Sequence, residues 1–504
     1  MVKKIFQKII SKPHQVFLFT IFALALIIYL PSLTTFYTND DFFHLRISNV
    51  SSTKEFINFF NLSKAPEGWG LYRPLTTQVF YFLAWKVFSL NPLGLHIISF
   101  LVFFGVIYLI YLLTRNLFVN SESKFVNKVA LSASLLYATS ATHFGHLYFL
   151  GAFQELGVAL FFFLSVIIFI KFLQKGKLIM YAASLIAFLL SLLCKETAVV
   201  LPLIFIPIYW FLRFQKHVSF SLNKFLISLV PYFFFLLLYF YFRVTHYGFA
   251  QGESYVWDFS ISRAMNTLGW YGLWSFNLPE TLVDFVGPGF LLNPNLFKYW
   301  SGQIIPIFLL FGVFFLEILF LILKNVKKLF LNHKSLILIL FCTAWFITTL
   351  MPVLFLPLHK FTFYLTIPIF GVVVFISYLF INYESKIMNR GFIFVWIILS
   401  FLTLNLTRQT NWITRGAQTA RNVHNYLRQN ANSLEGIKTI AFYDTEEDSN
   451  LPWSPSEILK ATLSDQNYFR VFWNDNLTAI YYNSEEEIKA GQVMKIKARD
   501  FLGY

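Results

Sequence analysis

Asp40 and Asp41 stand side by side in the segment Thr38-Asn39-Asp40-Asp41-Phe42-Phe43-His44, just beyond an apolar run long enough to be a membrane helix. A carboxylate in that place can take the proton from an attacking hydroxyl, and two adjacent carboxylates raise each other's pKa or share a divalent ion. An acidic pair that merely caps a helix at the water boundary uses the same residue types.

About thirty residues on, Tyr72-Arg73-Pro74-Leu75-Thr76 places a guanidinium where it can pin a phosphate bidentately or tie the loop to an acid. Lys195 and Glu196 sit where one apolar run ends and the next begins, to pair with each other or to meet a lipid phosphate. Arg243 and His246 flank the end of another run, at the depth of an anionic headgroup, with Arg263, His359 and Lys360 as further cations and Arg243 as the first choice. Glu155 lies one turn inside an apolar run and needs a partner, Arg73 or a bound polar substrate. His143 and His146 form an HxxH that, with Asp40 and Asp41, would supply ligands for a divalent metal ion, the one cofactor these residues suggest. Trp257, Trp270 and Trp274 read as interfacial belt residues or as platforms for sugar rings.

The elements that must position these residues are membrane helices. The chain of 504 residues is 57% hydrophobic and only 13% charged, so most of it cannot face water in a soluble fold. Apolar runs fall near 15–31, 94–113, 127–141, 151–170, 178–194, 197–212, 225–243, 303–323, 335–353, 362–381 and 391–406, predicting eleven spans of which two are short. The first resembles a signal peptide but is longer and lacks a small-residue cleavage site, so it reads as a retained anchor.

With the N-terminus inside, the cations Lys3, Lys4, Lys8, Lys12, Arg115, Lys124, Lys128, Lys171, Lys175, Lys177, Arg213, Lys216, Lys224, Lys324, Lys327, Lys328, Lys334, Lys386 and Arg390 all fall on the inner side. The formal charge of +15 is thereby assigned largely to topology and not to nucleic acid. Two long loops, about 32–93 and 244–302, are placed outside, so chemistry is expected there. Residues 1–406 form the transmembrane domain. In 407–504 charged and amide residues take over; TIAFY, YFRVFW and LTAIYY read as strands and 411–432 and 456–463 as helices, predicting a small α/β extracytoplasmic domain. Cys194 and Cys342 lie far apart and imply neither a disulfide scaffold nor a zinc site.

An acidic pair after the first helix, YRPLT in the same loop and Asn91-Pro92 leading to His96 at the second span resemble the GT-C superfamily of polyprenyl-phosphate-sugar-dependent glycosyltransferases, in particular its protein O-mannosyltransferase-like members. Lys195-Glu196-Thr197 and the late segment with Pro357, His359, Tyr364 and Pro368 extend the likeness over about 15–405. The resemblance implies an all-α polytopic GT-C fold. It also implies a catalytic or metal-holding role for Asp40 with Asp41 beside it, and donor-phosphate contacts from Arg73, Lys195, Glu196, Arg243, His246 and His359. Tyr72, His96, Glu155 and Tyr364 have supporting places in it.

The expected activity is inverting transfer of a sugar from a polyprenyl-phosphate donor, held in membrane lipid, to an extracytoplasmic acceptor at the plasma membrane. The alternative is a transporter or lipid-linked sugar flippase. That class predicts internal repeats and broken helices with ionisable groups at mid-membrane, which are scarce in this sequence.

Overall fold

The computed structural model describes residues 13–63, 70–118, 122–218, 220–248, 255–287, 289, 291–383, 386–451, 453–473, 476–488 and 493–502. Lys3, Lys4, Lys8 and Lys12 lie outside the described residues, as do the side chains of Lys386 and Arg390.

Among the described residues eight helices are long and apolar enough to cross a membrane: α1 (His14–Thr34), α2 (Pro92–Leu117), α4 (Leu150–Lys175), α6 (Glu196–Phe214), α7 (Leu222–Tyr247), α8 (Asn295–Lys324), α9 (His333–Leu354) and α11 (Gly391–Thr410). Three further predicted segments are shorter helices: α3 (Ser123–Ala138), α5 (Leu178–Cys194) and α10 (Ile369–Tyr383). The chain is thus mostly helical and reads as an integral multi-pass membrane protein. Large apolar side chains such as Leu101, Leu237, Leu309 and Phe394 stay exposed on the spans, as expected of a surface whose solvent is hydrocarbon.

The expected span at 362–381 is shortened by its own residues. Pro368 lacks an N–H and disfavours helix in the residue before it, so Thr362–Leu365 is a separate tight turn and α10 starts at Ile369. That turn leaves Tyr364 at the end of the bundle instead of within a span.

Apolar side chains gain little by leaving lipid for each other, so small and polar residues hold the helices together. Ser165 of α4 and Ser184 of α5 each donate to the other's backbone carbonyl at 2.8 Å, and the Tyr232 hydroxyl of α7 reaches Ser184 Oγ at 2.8 Å. Where α10 crosses α9, a Cβ on Gly371 would lie 2.6 Å from the Cys342 carbonyl oxygen, so only glycine allows that approach.

Beyond α11 come α12 (Trp412–Gln429), β1 (Thr439–Tyr443), α13 (Pro455–Thr462), α14 (Asn467–Trp473), β2 (Thr478–Tyr482) and β3 (Val493–Lys497). The strands form one parallel sheet in the order β2-β1-β3, and the helices between β1 and β2 supply the crossover that parallel pairing demands. The expected strand YFRVFW is helix α14: Tyr468, Val471 and Phe472 recur at helical spacing, with Tyr468 and Val471 buried on its inner face. The third strand is VMKIK, in which Met494 and Ile496 alternate with Lys495 and Lys497, and it lies outside the expected strands.

This unit is packed on the first loop. The Asn39 N–H donates to the Thr462 carbonyl at 2.8 Å, and Phe42 meets Tyr468 edge-on at 5.3 Å. A Cβ on Gly416 of α12 would come 2.6 Å from Thr38 Oγ1, so α12 lies directly against the turn that carries the acidic pair.

Candidate functional site

A cavity of about 630 Å³ opens at that end of the bundle. Its walls carry Asp40, His44, Arg73, Gln154, Lys195, Tyr255, His359, Phe361, Phe363, Tyr364 and Trp412. They come from both long loops, from the start of α4, from the α5–α6 junction, from the segment before α10 and from the start of α12.

Asp40 opens the helix Asp40–Ser48. The residue before it, Asn39, has φ +49°, a region that side-chain-bearing residues occupy sparingly and Asn tolerates best. This turn separates the two carboxylates. Asp40 opens into the cavity, whereas Asp41 is buried, accepting from the Thr38 N–H at 2.9 Å and from the Tyr81 hydroxyl.

Burial among protein walls raises the Asp40 pKa, and the positive charge of Arg73 opposes that rise. Burial pushes Asp41 up to about 7, against the Tyr81 and Thr38 hydrogen bonds. His44 is lowered to about 3 by burial and by Arg73, so it stays neutral.

A raised acid pKa in the fold means that the folded state holds its proton where the unfolded chain has lost it. The stabilisation from Asp41 is therefore full below the ordinary aspartate range and is lost as pH rises through about 7. The melting-temperature advantage of the wild type over Asp41→Asn, followed by tryptophan fluorescence, is expected to shrink between pH 4.5 and 7.5. An advantage that grows with pH would show that Asp41 is stabilised as the anion.

Arg73 is placed by its neighbour. It precedes Pro74, which disfavours helical backbone in the residue before it, and Arg73 accordingly has φ −141° and ψ 55°, while Pro74 begins a wide helical turn, Pro74–Val79. Its guanidinium grips Glu196 bidentately, with Nε to Oε2 at 2.7 Å, and donates a further hydrogen bond to Gln154. Lys195 pairs with the buried Glu155, and its ammonium also lies 4.5 Å from the centre of the Tyr364 ring.

Two expectations are corrected here. Glu155 pairs with Lys195, not Arg73, and Lys195 does not pair with Glu196. The Lys195 backbone is extended, which sends consecutive side chains to opposite sides.

Other expected members lie elsewhere. Arg243 is buried and donates to the Gly70 carbonyl, bracing the loop before Arg73, while His246 is exposed and bonded to Thr245. Tyr72 donates to the Phe60 carbonyl at 3.1 Å. His96 joins the Leu147 and Thr35 carbonyls at 3.2 and 3.1 Å, tying α2 to two loops. His359 does line the cavity, its ring 4.1 Å from that of Tyr255, and burial with the nearby cations lowers it to about 4. Arg263 pairs with Asp258 near the surface, Lys360 lines a separate cavity with Trp270, and Trp274 is core instead of belt.

The metal constellation does not form. His143 and His146 are packed against Phe103, and each imidazole is bonded inside the bundle, His143 to the Tyr137 carbonyl and His146 to Thr366. No group of three or more His, Cys, Asp or Glu residues among the described residues is placed to hold a metal ion.

The chain matches no family model and no curated protein.

Sequence reasoning missed Gln154, Tyr255, Phe361, Phe363 and Trp412 among the cavity walls, and Glu280 behind them. Glu280 accepts from the Thr362 N–H at 2.6 Å and hydroxyl at 2.7 Å, and from Asn411 at 3.4 Å. It thereby ties the second loop to the turn before α10 and to the start of α12. Its signal is an acid among apolar residues, with Asp284 four residues on, which must find donors when buried.

Proposed function

We propose that this chain is a GT-C-type membrane glycosyltransferase that moves a sugar from a polyprenyl-phosphate donor to an acceptor hydroxyl on the extracytoplasmic face of the plasma membrane. The observation that carries the reading is a carboxylate, Asp40, open to a large cavity at the bundle end that Arg73 and Lys195 also line. The eleven helical segments serve as spans, the three short ones among them.

In this reading the acceptor oxygen attacks the anomeric carbon from the Asp40 side, and its proton passes to the Asp40 carboxylate. The bond from the anomeric carbon to the carrier phosphate breaks, its electron pair stays on the phosphate oxygen, and the sugar configuration inverts. Arg73 and Lys195 stabilise the charge growing on that phosphate. Their partners Glu196 and Glu155 hold them in place and moderate their pull, so the phosphate can leave afterwards. Phe361, Phe363 and Trp412 offer flat apolar surface to the faces of the sugar rings.

The test is a panel of radiolabelled polyprenyl-phosphate sugars incubated with the purified protein and with membranes lacking it as acceptor source. Label leaving one donor for an acceptor, only when the protein is present, supports the reading. Movement of a donor across a vesicle bilayer without covalent transfer would establish the flippase alternative instead.

A further inference from the structure

A second polar cavity, of about 360 Å³, opens between the ends of α1 and α11 and the face of α12. It shares no lining residue with the Asp40 cavity. Tyr148 lines the one and Phe149 the other, and Phe149 packs edge-on against Trp412 at 5.3 Å, so this aromatic pair stands at their boundary.

Two guanidinium groups, Arg408 and Arg421, reach this cavity along with Gln409, Gln418 and Thr414, and no acidic residue lines it. Arg421 is held by the Thr34 carbonyl and lies over the Phe36 ring at 5.9 Å. Arg408 is exposed and forms no ion pair with a described residue. The charge is a property of the whole segment. Between Gly391 and Glu435 the sequence contains Arg408, Arg415, Arg421 and Arg428 and no acid.

Most short-loop cations of this chain gather at the opposite ends of the spans, as membrane topology favours. Arginines at this end, without carboxylates, therefore need a different reason. Planar guanidinium forks beside the Gln409 and Gln418 amides match the several oxygens of a phosphate group, and α1 and α11, long and apolar enough to cross a membrane, end at this cavity, where headgroups would lie.

The geometry points to a binding site, separate from the Asp40 cavity, for the phosphate group of an anionic membrane lipid. Arg408 is its free cation among the described residues and Arg421 its anchored one. The site does not depend on what reaction the protein performs.

The experiment uses the full chain in phosphatidylcholine nanodiscs, with and without phosphatidic acid, and in detergent with inorganic phosphate. Lipid retained after detergent exchange is counted by native mass spectrometry, and melting temperature is read in every arm. Wild type is expected to retain phosphatidic acid and to melt higher with it, and Arg408→Gln to retain about tenfold less, the loss of one charge-assisted contact. Arg421→Lys, which keeps the charge but not the fork, is the second variant and is expected to fall between the two.

Stabilisation of wild type by inorganic phosphate, lost in Arg408→Gln and without lipid retention, would keep the anion site and overturn its lipid source. Equal phosphatidic acid retention by all three proteins, or none by wild type in either arm, overturns the proposal. No sugar transfer enters the readout, so this result and that of the donor panel stand or fall separately.

Discussion

Asp40→Asn is expected to leave a folded protein that transfers sugar about 10²–10⁴-fold more slowly, the range over which a positioned general base acts. The substitution keeps the shape of the side chain and removes the lone group that takes the acceptor's proton in the proposed displacement. Asp41→Asn is expected to cost less, because Asp41 lies beneath the cavity and acts through Thr38 and Tyr81 on the turn that aims Asp40. The two variants are compared by initial rates of label transfer, with gel filtration in detergent as the folding check. Full activity in a folded Asp40→Asn protein would remove Asp40 as the base.

Lys195→Met is expected to destabilise the protein by about 3–5 kcal/mol, because it strands the Glu155 carboxylate in a place where its side chain is 4% exposed. Adding Glu155→Leu should recover most of that loss, since a buried ion pair replaced on both sides by apolar groups of similar size is often neutral. Transfer activity, however, is expected to stay low in the double variant, because the ammonium assigned to the donor phosphate is still missing. Melting temperature and transfer rate measured on the same three proteins separate the two roles. Recovery of both would make Lys195 a structural residue only, and a single variant as stable as wild type would show that Glu155 has another partner.

The parts of this architecture that were legible in the sequence are those governed by local rules. Hydropathy locates the eleven helical segments, with boundaries that differ most where Pro368 delays α10 to Ile369 and where α8 begins at Asn295 instead of near 303. The candidate site is legible where a polar residue has no cheap alternative: Asp40, Arg73, Lys195 and His359 stand out in the sequence, and all four line one cavity.

What failed was the choice of partner. Arg243 and His246 suggest a ligand by their position at a helix end, and His143 and His146 by their HxxH spacing, but side-chain direction depends on the packing of distant segments such as Phe103 and Gly70. The strand assignment of YFRVFW failed because a short, nearly continuous apolar run has no decisive period. Trp412 and Glu280 become wall and brace through contacts across 82 or more residues, which no window of sequence contains.

The hydrogen bond from Asn39 to Thr462 has a bearing on how the protein is made. A chain inserted from its N-terminus places Asp40 beyond the first helix early, yet the carbonyl that steadies the neighbouring residue emerges from the ribosome ~420 residues later. Throughout synthesis the membrane therefore holds a bundle whose acidic turn is unfinished. Docking of α12 and α13 onto that turn has to follow synthesis of the spans, so a chain cut short before α13 is expected to keep its spans and to lack the Thr462 contact beside Asp40.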